Sequence, residues 1–357
     1  MRRFFERCEA QWTRQPGASY WMKHYRNQSQ ADLFPTAVCA ELRQLLDDAL
    51  RRAADEKIHA RVAFVAKSFG VTERFVRLNE ARARLSRDVV AGVLAGRDGQ
   101  EKLKDYLDAR REFLRYSKDL TDREPLAFYR IGYEDFLRDN PAFAAAAALV
   151  AAGMGEPASG AEPEGRAENG VSEARSFARA LIEGTTQELL LDGSLEGPRT
   201  VKRKIAGLTF AFDLPGAWQS SVEPTQRHVG EVTKAAARSG EAGLHLSGAI
   251  NTTVLQWRPA VAGRLYVGSV HTRGHVTSSD AVFLSMGWLD AQGKHLGVSL
   301  AARLPDGAWP EWVQLQQGAR APDGAAWVGI GVHLQNQMPG DWVEFDDFSL
   351  LDAGGKR

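Results

Sequence analysis

The 357-residue chain has little cysteine and no long hydrophobic run. Its two cysteines, Cys8 and Cys39, are too few for a disulfide framework, and two free buried thiols are favoured over one bridge. No apolar run reaches the ~20 residues that a membrane-spanning helix needs. The basic opening segment, MRRFFERCEAQW, lacks the hydrophobic stretch of a secretory signal peptide.

The chain also lacks an excess of charge of either sign and lacks the common catalytic motifs. It has 45 basic and 45 acidic residues, so a general affinity for nucleic acid has no electrostatic basis. CxxC, HExxH, GxSxG and Gly-rich phosphate-loop motifs do not occur. Glu73 and Glu80 lie seven residues apart on one predicted helix, where charges are typical of the solvated face rather than of a glycosidase pair. We therefore expect no catalytic residue and no hydrolysis by this chain alone.

Residues 1–152 show the periodicity of amphipathic helices. Val38, Leu42 and Leu46 form an apolar stripe after Pro35, which suits the first turn of a helix. A longer helix follows, in which Gly70 interrupts the apolar seam at a place suited to close helix contact or a slight bend. This pattern predicts an N-terminal α-helical bundle.

Composition changes over residues 153–200. The run from Gly153 to Gly170 is rich in Gly, Pro, Ala and Glu, and it has no large apolar residue beyond Met154. Such a run cannot bury a core, so it predicts a linker. A short helix is expected within this linker region, from Ser172 to Glu183.

Apolar and polar residues alternate with a period of two over residues 201–357. Turn signals such as PDGAW and MPGDW separate the short runs, and seven of the nine tryptophans lie between Trp218 and Trp342. The pattern is typical of an antiparallel β-sandwich. The chain is thus predicted to be an α+β multidomain protein, with a helical bundle followed by a sandwich.

The segment VEFDDFSL, Val343 to Leu350, changes its apolar face at Asp346 and Asp347. One extra residue in a strand reverses the direction of its side chains, so we predict a β-bulge at the two acids. Two explanations are open for the acids themselves. They are either exposed to solvent or ligands of a cation such as Ca²⁺, which prefers carboxylate oxygens.

The order of motifs in this half resembles the jelly-roll, galactose-binding-like carbohydrate-binding modules attached to xylanases and related glycanases. The resemblance rests on LTFAFDLPGAW at residues 208–218, on the turn Ser239-Gly240 and on the closing pair of acids. In those modules a structural Ca²⁺ often joins the first and last strands. The resemblance implies Asp213 and one or both of Asp346 and Asp347 as its ligands here, although Asp213 stands where the modules carry Glu. No organic cofactor is expected.

Sugar recognition needs flat apolar surfaces and polar groups that reach hydroxyls. The tryptophans of the sandwich are candidates for the first, although most are expected in the core. Polar residues that share one side of a strand are candidates for the second, with a plain solvated face as the alternative. The predicted carbohydrate-binding residues are Trp257, His271, Arg273, Trp288, His333 and Gln335.

The helical half resembles a large bacterial family that is similar to α-glucuronidases among the glycoside hydrolases (domain of unknown function 4838). The resemblance rests on RNQSQADLFP, Arg26 to Pro35, and on ARVAFVAKSFGVTERFVR, Ala60 to Arg77. It implies a catalytic barrel before Met1, with this chain as a C-terminal fragment of an exported, periplasmic or extracellular, parent.

These observations predict a non-catalytic accessory region of a polysaccharide-degrading glycoside hydrolase. Its partners would be a polysaccharide or oligosaccharide, bound by the sandwich, and the upstream catalytic domain of the same parent. The alternative is a structural or protein-interaction module that binds no sugar. Nucleic acid and a membrane span are not expected.

Overall fold

The computed structural model describes residues 1–14, 33–123, 141–153, 166–200, 214–215, 217–222, 229–249, 251–277, 281–335 and 337–354. Helices fill the first half of this described chain, and antiparallel strands fill the second. The predicted fold class, α+β with a β-sandwich, is confirmed.

Six helices lie in the described residues. They are α1 (Arg2–Trp12), α2 (Thr36–Arg51), α3 (Glu56–Val90), α4 (Gly96–Arg123), α5 (Ala142–Ala151) and α6 (Arg166–Ile182). Pro35 stands directly before α2, as its preference for helix starts predicts. Asp55 caps α3 by accepting a hydrogen bond from the backbone N–H of Ile58 at 2.9 Å.

The chain divides into two compact units. The first comprises Met1–Arg84 and Lys104–Leu137, and the second comprises Leu85–Leu103 and Arg138–Arg357. The units therefore divide the chain at other places than the boundaries 152 and 200 that composition suggested. Helices α3 and α4 each contribute residues to both units, since helical periodicity continues across the division.

In the first unit, α1, α2 and the first half of α3 share a core that includes Phe4, Leu42 and Phe69. Gly70 allows α4 to approach α3, because a Cβ there would collide with the ring and hydroxyl of Tyr116. The predicted close contact at this glycine is confirmed. Both cysteines are free, and burial raises the pKa of the Cys39 thiol to about 12.

The second unit contains two main sheets. Sheet 1 has the order β11-β8-β13-β6-β5, with β1 also paired to β13, and sheet 2 has the order β10-β9-β12-β7-β4. The strands are β1 (Gln187–Glu188), β2 (Arg199–Thr200), β3 (Leu214–Pro215), β4 (Gln219–Val222), β5 (Val229–Thr233), β6 (Gly243–Ser247), β7 (Asn251–Pro259), β8 (Leu265–Val276), β9 (Val282–Leu289), β10 (His295–Arg303), β11 (Gly307–Arg320), β12 (Trp327–Gln335) and β13 (Trp342–Asp352). Strands β2 and β3 form a separate pair.

The core of this unit lies between the two sheets. Alternate residues of each long strand point inward, so the apolar set of sheet 1 meets that of sheet 2. Representative inward residues are Val270 and Phe345 from sheet 1 and Met286 and Ile330 from sheet 2, all fully buried. Part of the outer face of sheet 1 is covered by α5 and α6, and Phe143 of α5 packs against Gly318 of β11.

Strand β13 contains the predicted bulge. Its register against β8 shifts between Asp346 and Ser349, and Asp347 has a left-handed φ of 51°. The backbone N–H of Phe348 donates to the carbonyl of Gly193 at 2.9 Å instead of to β8. Phe345 and Phe348 consequently both enter the core, which explains the change of face in VEFDDFSL.

Pairing with the sandwich begins before residue 201. Gln187 and Glu188 pair with Asp352 and Leu351 of β13, and Leu195 is buried in the sandwich core. Residues 154–165 of the predicted linker lie outside the described residues. Of the helices that the structure describes, none is both long enough and apolar enough to cross a membrane.

Candidate functional site

The outer face of sheet 2 carries a row formed by Trp257, Gly329 and Gly287. Gly329 of β12 pairs with Trp257 of β7 on one side and with Gly287 of β9 on the other. Their strand neighbours, such as Val328, point into the core, so this row faces outward. Two glycines beside a tryptophan leave the sheet surface bare where the indole lies.

The indole ring of Trp257 lies flat on that bare surface. A Cβ built on Gly329 would lie 2.7 Å from Cε3, 2.7 Å from Cζ3 and 2.9 Å from Cδ2 of the ring. Three ring atoms at nearly equal distance show that the ring turns its face, not its edge, to the backbone. The ring also reaches β9, since a Cβ on Gly287 would lie 3.2 Å from its Cη2 atom. The opposite face of the half-buried indole is thus directed away from the sheet.

An imidazole lies at the far edge of this platform. His295 of β10 places its Nε2 atom 3.7 Å from the same Cβ position on Gly287. Its Nδ1 atom accepts a hydrogen bond from the backbone N–H of Gly297 at 3.1 Å, so the proton of the neutral ring is on Nε2. His295 therefore presents an N–H donor beside the platform. Trp327, on the same outer face, is 39% exposed.

A second cluster lies on the same face, four residues further along the strands. The rings of His333 and Phe283 stack with centroids 4.7 Å apart and planes 13° apart. The guanidinium of Arg303 lies 5.6 Å from the Phe283 centroid, and Thr253 Oγ1 lies 3.2 Å from His333 Nδ1. At the rise of an extended strand, this cluster is roughly 13 Å from the row of Trp257.

The outer face of sheet 1 carries a network of charged and aromatic side chains that contact one another. Arg273 Nε donates to Glu344 Oε2 at 2.6 Å, and its guanidinium carbon lies 4.9 Å from the Trp312 ring centroid. Glu344 Oε1 lies 3.3 Å from His245 Nδ1, and His245 stacks on Trp342. The charges of this network are already partnered within the protein.

The predicted sugar-binding residues consequently fall in three places. Trp257, His333 and Gln335 are together on the outer face of sheet 2, because they alternate with core residues of β7 and β12. His271 and Arg273 are on the outer face of sheet 1. Burial, and then the nearby Arg238, lower the pKa of His271.

Trp288, the sixth predicted residue, lies in the core. It is 3% exposed and packs edge-to-face against Tyr266, with centroids 5.7 Å apart. Of the two positions open for this residue, platform or core, the structure shows the core. Its strand β9 turns Gly287, not Trp288, to the outer face.

The two acids at the bulge bind the loop that carries Arg238 and Ser239. Asp346 is fully buried, and its Oδ2 atom accepts hydrogen bonds from the backbone N–H groups of Arg238 and Ser239 at 2.7 and 2.9 Å. Its Oδ1 atom accepts from the N–H of Asp347 at 2.7 Å. Asp347 binds the guanidinium of Arg238 and the hydroxyl of Ser239 at 2.6 and 2.7 Å.

These contacts explain opposite pKa shifts in the two neighbours. Burial raises the pKa of Asp346, and its three backbone donors only partly offset that effect. Burial also acts on Asp347, but the Ser239 hydroxyl and the Arg238 guanidinium hold its pKa below the usual range.

The predicted Ca²⁺ ligands do not fit a cation as far as they are described. N–H and O–H donors already occupy the carboxylate oxygens of Asp346 and Asp347, whereas Ca²⁺ needs free oxygens. Asp213 lies outside the described residues. Within the described ranges, no group of three or more His, Cys, Asp and Glu side chains is placed to hold a metal ion.

Two other acids bind residues 188–196 to later parts of the sandwich, one to the turn before β6 and one to the closing strand β13. Glu196 Oε1 accepts from the N–H groups of Glu241 and Ala242 at 2.7 and 2.9 Å. Glu188 Oε1 accepts from the N–H of Leu350 at 3.0 Å. Neither acid was predicted as a functional residue, because both lie in residues 153–200, which their composition assigned to a linker. The apolar run Leu189-Leu190-Leu191, followed by the Asp192-Gly193 turn signal, could have indicated a strand there.

No family model and no curated protein matches the sequence. The assignment to the α-glucuronidase-like family therefore stays a prediction from motif resemblance. The chain is similar to several solved structures at low identity, and these likenesses cover less than half of it.

Three of these structures illustrate the likeness. One is the enzymatically active domain of tailspike protein 4 of bacteriophage CBA120, with 14% identity, a TM-score of 0.30, and coverage of 38% of this chain and 19% of that chain. Another is the CBM22-1 and GH10 modules of Clostridium thermocellum xylanase 10B, complexed with xylohexaose, with 15% identity, a TM-score of 0.30, and coverage of 40% and 27%. A third is the CBM22-1 xylan-binding domain of Paenibacillus barcinonensis Xyn10C, with 15% identity, a TM-score of 0.30, and coverage of 39% and 88%.

The match thus spans about a fifth of the tailspike domain and about a quarter of the xylanase chain. TM-scores of this size carry no argument about substrate, so the site rests on its own geometry.

Proposed function

We propose that the β-sandwich binds carbohydrate on the outer face of sheet 2, with Trp257 as the platform. The observation that carries this proposal is the indole lying flat over Gly329 and Gly287. The apolar C–H face of a pyranose packs on such an exposed aromatic face, and polar groups at the rim bind its hydroxyls. His295 supplies a donor at one edge of the platform.

Further polar groups extend this surface along the strands. Ser285 and Thr253 face outward between and beside the two clusters, and both are half-buried. His333 and Gln335 lie near them on β12. A glycan running along the strands from Trp257 towards Phe283 would meet a polar donor or acceptor at each step.

We infer that the chain serves as an accessory part of a polysaccharide-degrading enzyme and not as its catalyst. The two glutamates considered for catalysis are engaged within the helical unit. Glu73 binds Arg43, and Glu80 accepts from the N–H and hydroxyl of Thr36 at 3.0 and 2.8 Å. The motif resemblance of the helices supports an exported parent with an upstream catalytic barrel. Sequence upstream of Met1 tests this, since a (β/α)₈ pattern with paired acids is expected there.

Affinity electrophoresis tests the binding itself. We expect gels containing xylan, β-glucan or pectin to retard the full chain for at least one polysaccharide. Trp257→Ala should remove the retardation, with an affinity loss of about tenfold or more, because a stacked aromatic contributes ~1 kcal/mol beyond its buried area. Trp342→Ala is the matched control, since Trp342 lies on the outer face of sheet 1.

Two results would contradict the proposal. Equal losses in both tryptophan variants would show that the platform is not specific to sheet 2. Absence of retardation by every polysaccharide would favour the alternative, a structural or protein-interaction module.

A further inference from the structure

The five strands of sheet 2 contain no acidic residue. Their sequences are QSSV, NTTVLQWRP, VFLSMGWL, HLGVSLAAR and WVGIGVHLQ. Every ionisable side chain in these described strands is an arginine or a histidine. This composition is unusual for a chain in which acidic and basic residues are equally numerous.

Sheet 1 shows the opposite balance. Strand β13 alone carries Glu344, Asp346, Asp347 and Asp352, and β5 and β11 carry one glutamate each. The acids of the sandwich strands are thus confined to one sheet. The described strands of sheet 2 thus contribute no negative charge that would repel an anion.

Two described acids close to the ends of these strands have partners of their own. Asp290, in the hairpin between β9 and β10, accepts hydrogen bonds from the N–H groups of Gln292 and Lys294 at 2.9 and 2.8 Å. Asp306, after β10, forms an ion pair with Arg87 at 2.6 Å. The charge of Asp306 is thus balanced by a cation within the protein, and Asp290 is held in its own hairpin.

His295 supplies a donor where a substituent of the sugar would emerge. Its Nε2 atom and the Cη2 edge of Trp257 both lie within 4 Å of the same point above Gly287. The carboxyl group of a uronic acid projects from the rim of the pyranose ring. A uronic acid stacked on Trp257 can therefore direct its carboxylate to the Nε2–H of His295. Such a charge-assisted hydrogen bond is stronger than one to a neutral hydroxyl.

From this geometry we propose that the glycan bound on sheet 2 is acidic, a polysaccharide with uronic-acid carboxylates, and that His295 binds the carboxylate. The inference rests on the proposed carbohydrate binding and adds the substrate class to it. Because the described strands of sheet 2 carry no acid, they do not repel an anionic chain during approach.

The experiment compares each acidic polysaccharide with its own carboxyl-reduced form. Polygalacturonate, glucuronoxylan and alginate are each cast in affinity gels beside their carboxyl-reduced derivatives, and neutral xylan and β-glucan are included. We expect the full chain to bind at least one acidic polymer about tenfold more tightly than its reduced form, as one charge-assisted bond requires. The preference should weaken with added salt.

A histidine variant assigns the effect to the site. His295→Gln should lower affinity for the acidic polymer by about fivefold to tenfold and leave affinity for the reduced polymer unchanged. His275→Gln, on the outer face of sheet 1, is the control and should change neither. Circular dichroism on both variants checks that they remain folded.

The outcomes separate the inference from the proposed function. Binding of a reduced or neutral polymer as tightly as any acidic one would overturn the inference and leave carbohydrate binding in place. An undiminished acidic preference in His295→Gln would remove the role of His295. Failure to bind any polymer would reject both proposals.

Discussion

At the scale of single residues, the candidate site depends on two glycines, which have no side chain. Gly329 and Gly287 leave room for an indole that starts on a neighbouring strand and crosses two others. A methyl group at either position would enter the space of the ring. The platform is therefore set as much by the glycines as by Trp257.

The glycines allow a graded test. Gly329→Ala places its methyl 2.7 Å from two ring atoms of Trp257, so the indole must lift from the sheet. Gly287→Ala places its methyl 3.2 Å from one atom, which a small shift relieves. We expect affinity for the bound polysaccharide to fall by about tenfold or more in the first variant and by less in the second. Equal affinities in affinity gels, with both proteins folded, would contradict the flat placement of the ring.

The residue types of the site could be predicted from the sequence, but their grouping could not. Alternation predicted that His333 and Gln335 share one side of a strand, and Trp257 was one of several candidate tryptophans. It did not say which sheet each strand joins, so His271 and Arg273 were grouped with them. The contact between Trp257 and Gly329 joins strands 72 positions apart in the sequence, and their register is a product of the folded sheet.

At the scale of elements, the bulge in β13 shows how a local pattern predicts geometry but not partners. The change of face in VEFDDFSL was sufficient to place a bulge at Asp346 and Asp347. The loop that these acids bind lies about a hundred residues earlier in the chain. The sequence did not indicate this pairing, because two of the four contacts from Arg238 and Ser239 are made by backbone N–H groups, which every sequence has.

The bulge predicts a stability difference between two adjacent acids. Asp346→Asn replaces a buried acceptor of three N–H groups by an amide with only one acceptor oxygen, so we expect a loss of about 3 kcal/mol in the free energy of unfolding. Asp347→Asn should cost less than half as much, because this side chain is partly exposed. Urea denaturation measures both.

Chelation of metal ions tests the predicted Ca²⁺ site at the same bulge. Since N–H donors satisfy these acids, we expect EDTA to leave the melting temperature of the wild-type chain unchanged. A lower melting temperature in EDTA would support the Ca²⁺ ligands that the motif resemblance implied, with Asp213 among them.

Helix α6 predicts a pH dependence of stability. Burial of Glu173 beside β11 raises its pKa from 4.5 to about 7, although Arg320 acts in the opposite direction. The folded state therefore binds this proton more tightly than the unfolded state. The contribution of Glu173 to stability is most favourable below pH 4.5 and falls as pH rises towards 7, after which it is constant.

Glu173→Gln removes this unfavourable ionisation. At pH 8 we expect the variant to be more stable than wild type by about 2 to 3 kcal/mol, and at pH 4 to be nearly equal to it. Urea denaturation at the two pH values measures the difference. Glu183→Gln, an exposed residue just after α6, is the control. A constant difference between variant and wild type across this range would contradict the raised pKa.

At the scale of the whole molecule, compact units do not follow composition. Leu85–Leu103 belongs to the unit that contains the sandwich, although its periodicity is that of the preceding helices. The ion pair between Arg87 and Asp306 joins positions 219 residues apart. Composition indicates which segments have apolar side chains to bury. It does not indicate which distant segments pack against them.

The predicted boundary at residue 201 can be tested by comparing the thermal stability of two fragments. A fragment of residues 186–357 keeps β1, Glu196 and the buried Leu195, whereas a fragment of residues 201–357 loses them. Burial of one leucine side chain contributes about 2 kcal/mol, and the lost hydrogen bonds leave buried N–H groups of β13 without acceptors. Both fragments lack α5 and α6, so their comparison isolates residues 186–200.

We expect the shorter fragment to melt at least roughly 10 °C lower by circular dichroism, or not to fold. Equal melting temperatures would show that the sandwich is complete from residue 201 and that β1 and Glu196 are peripheral to it.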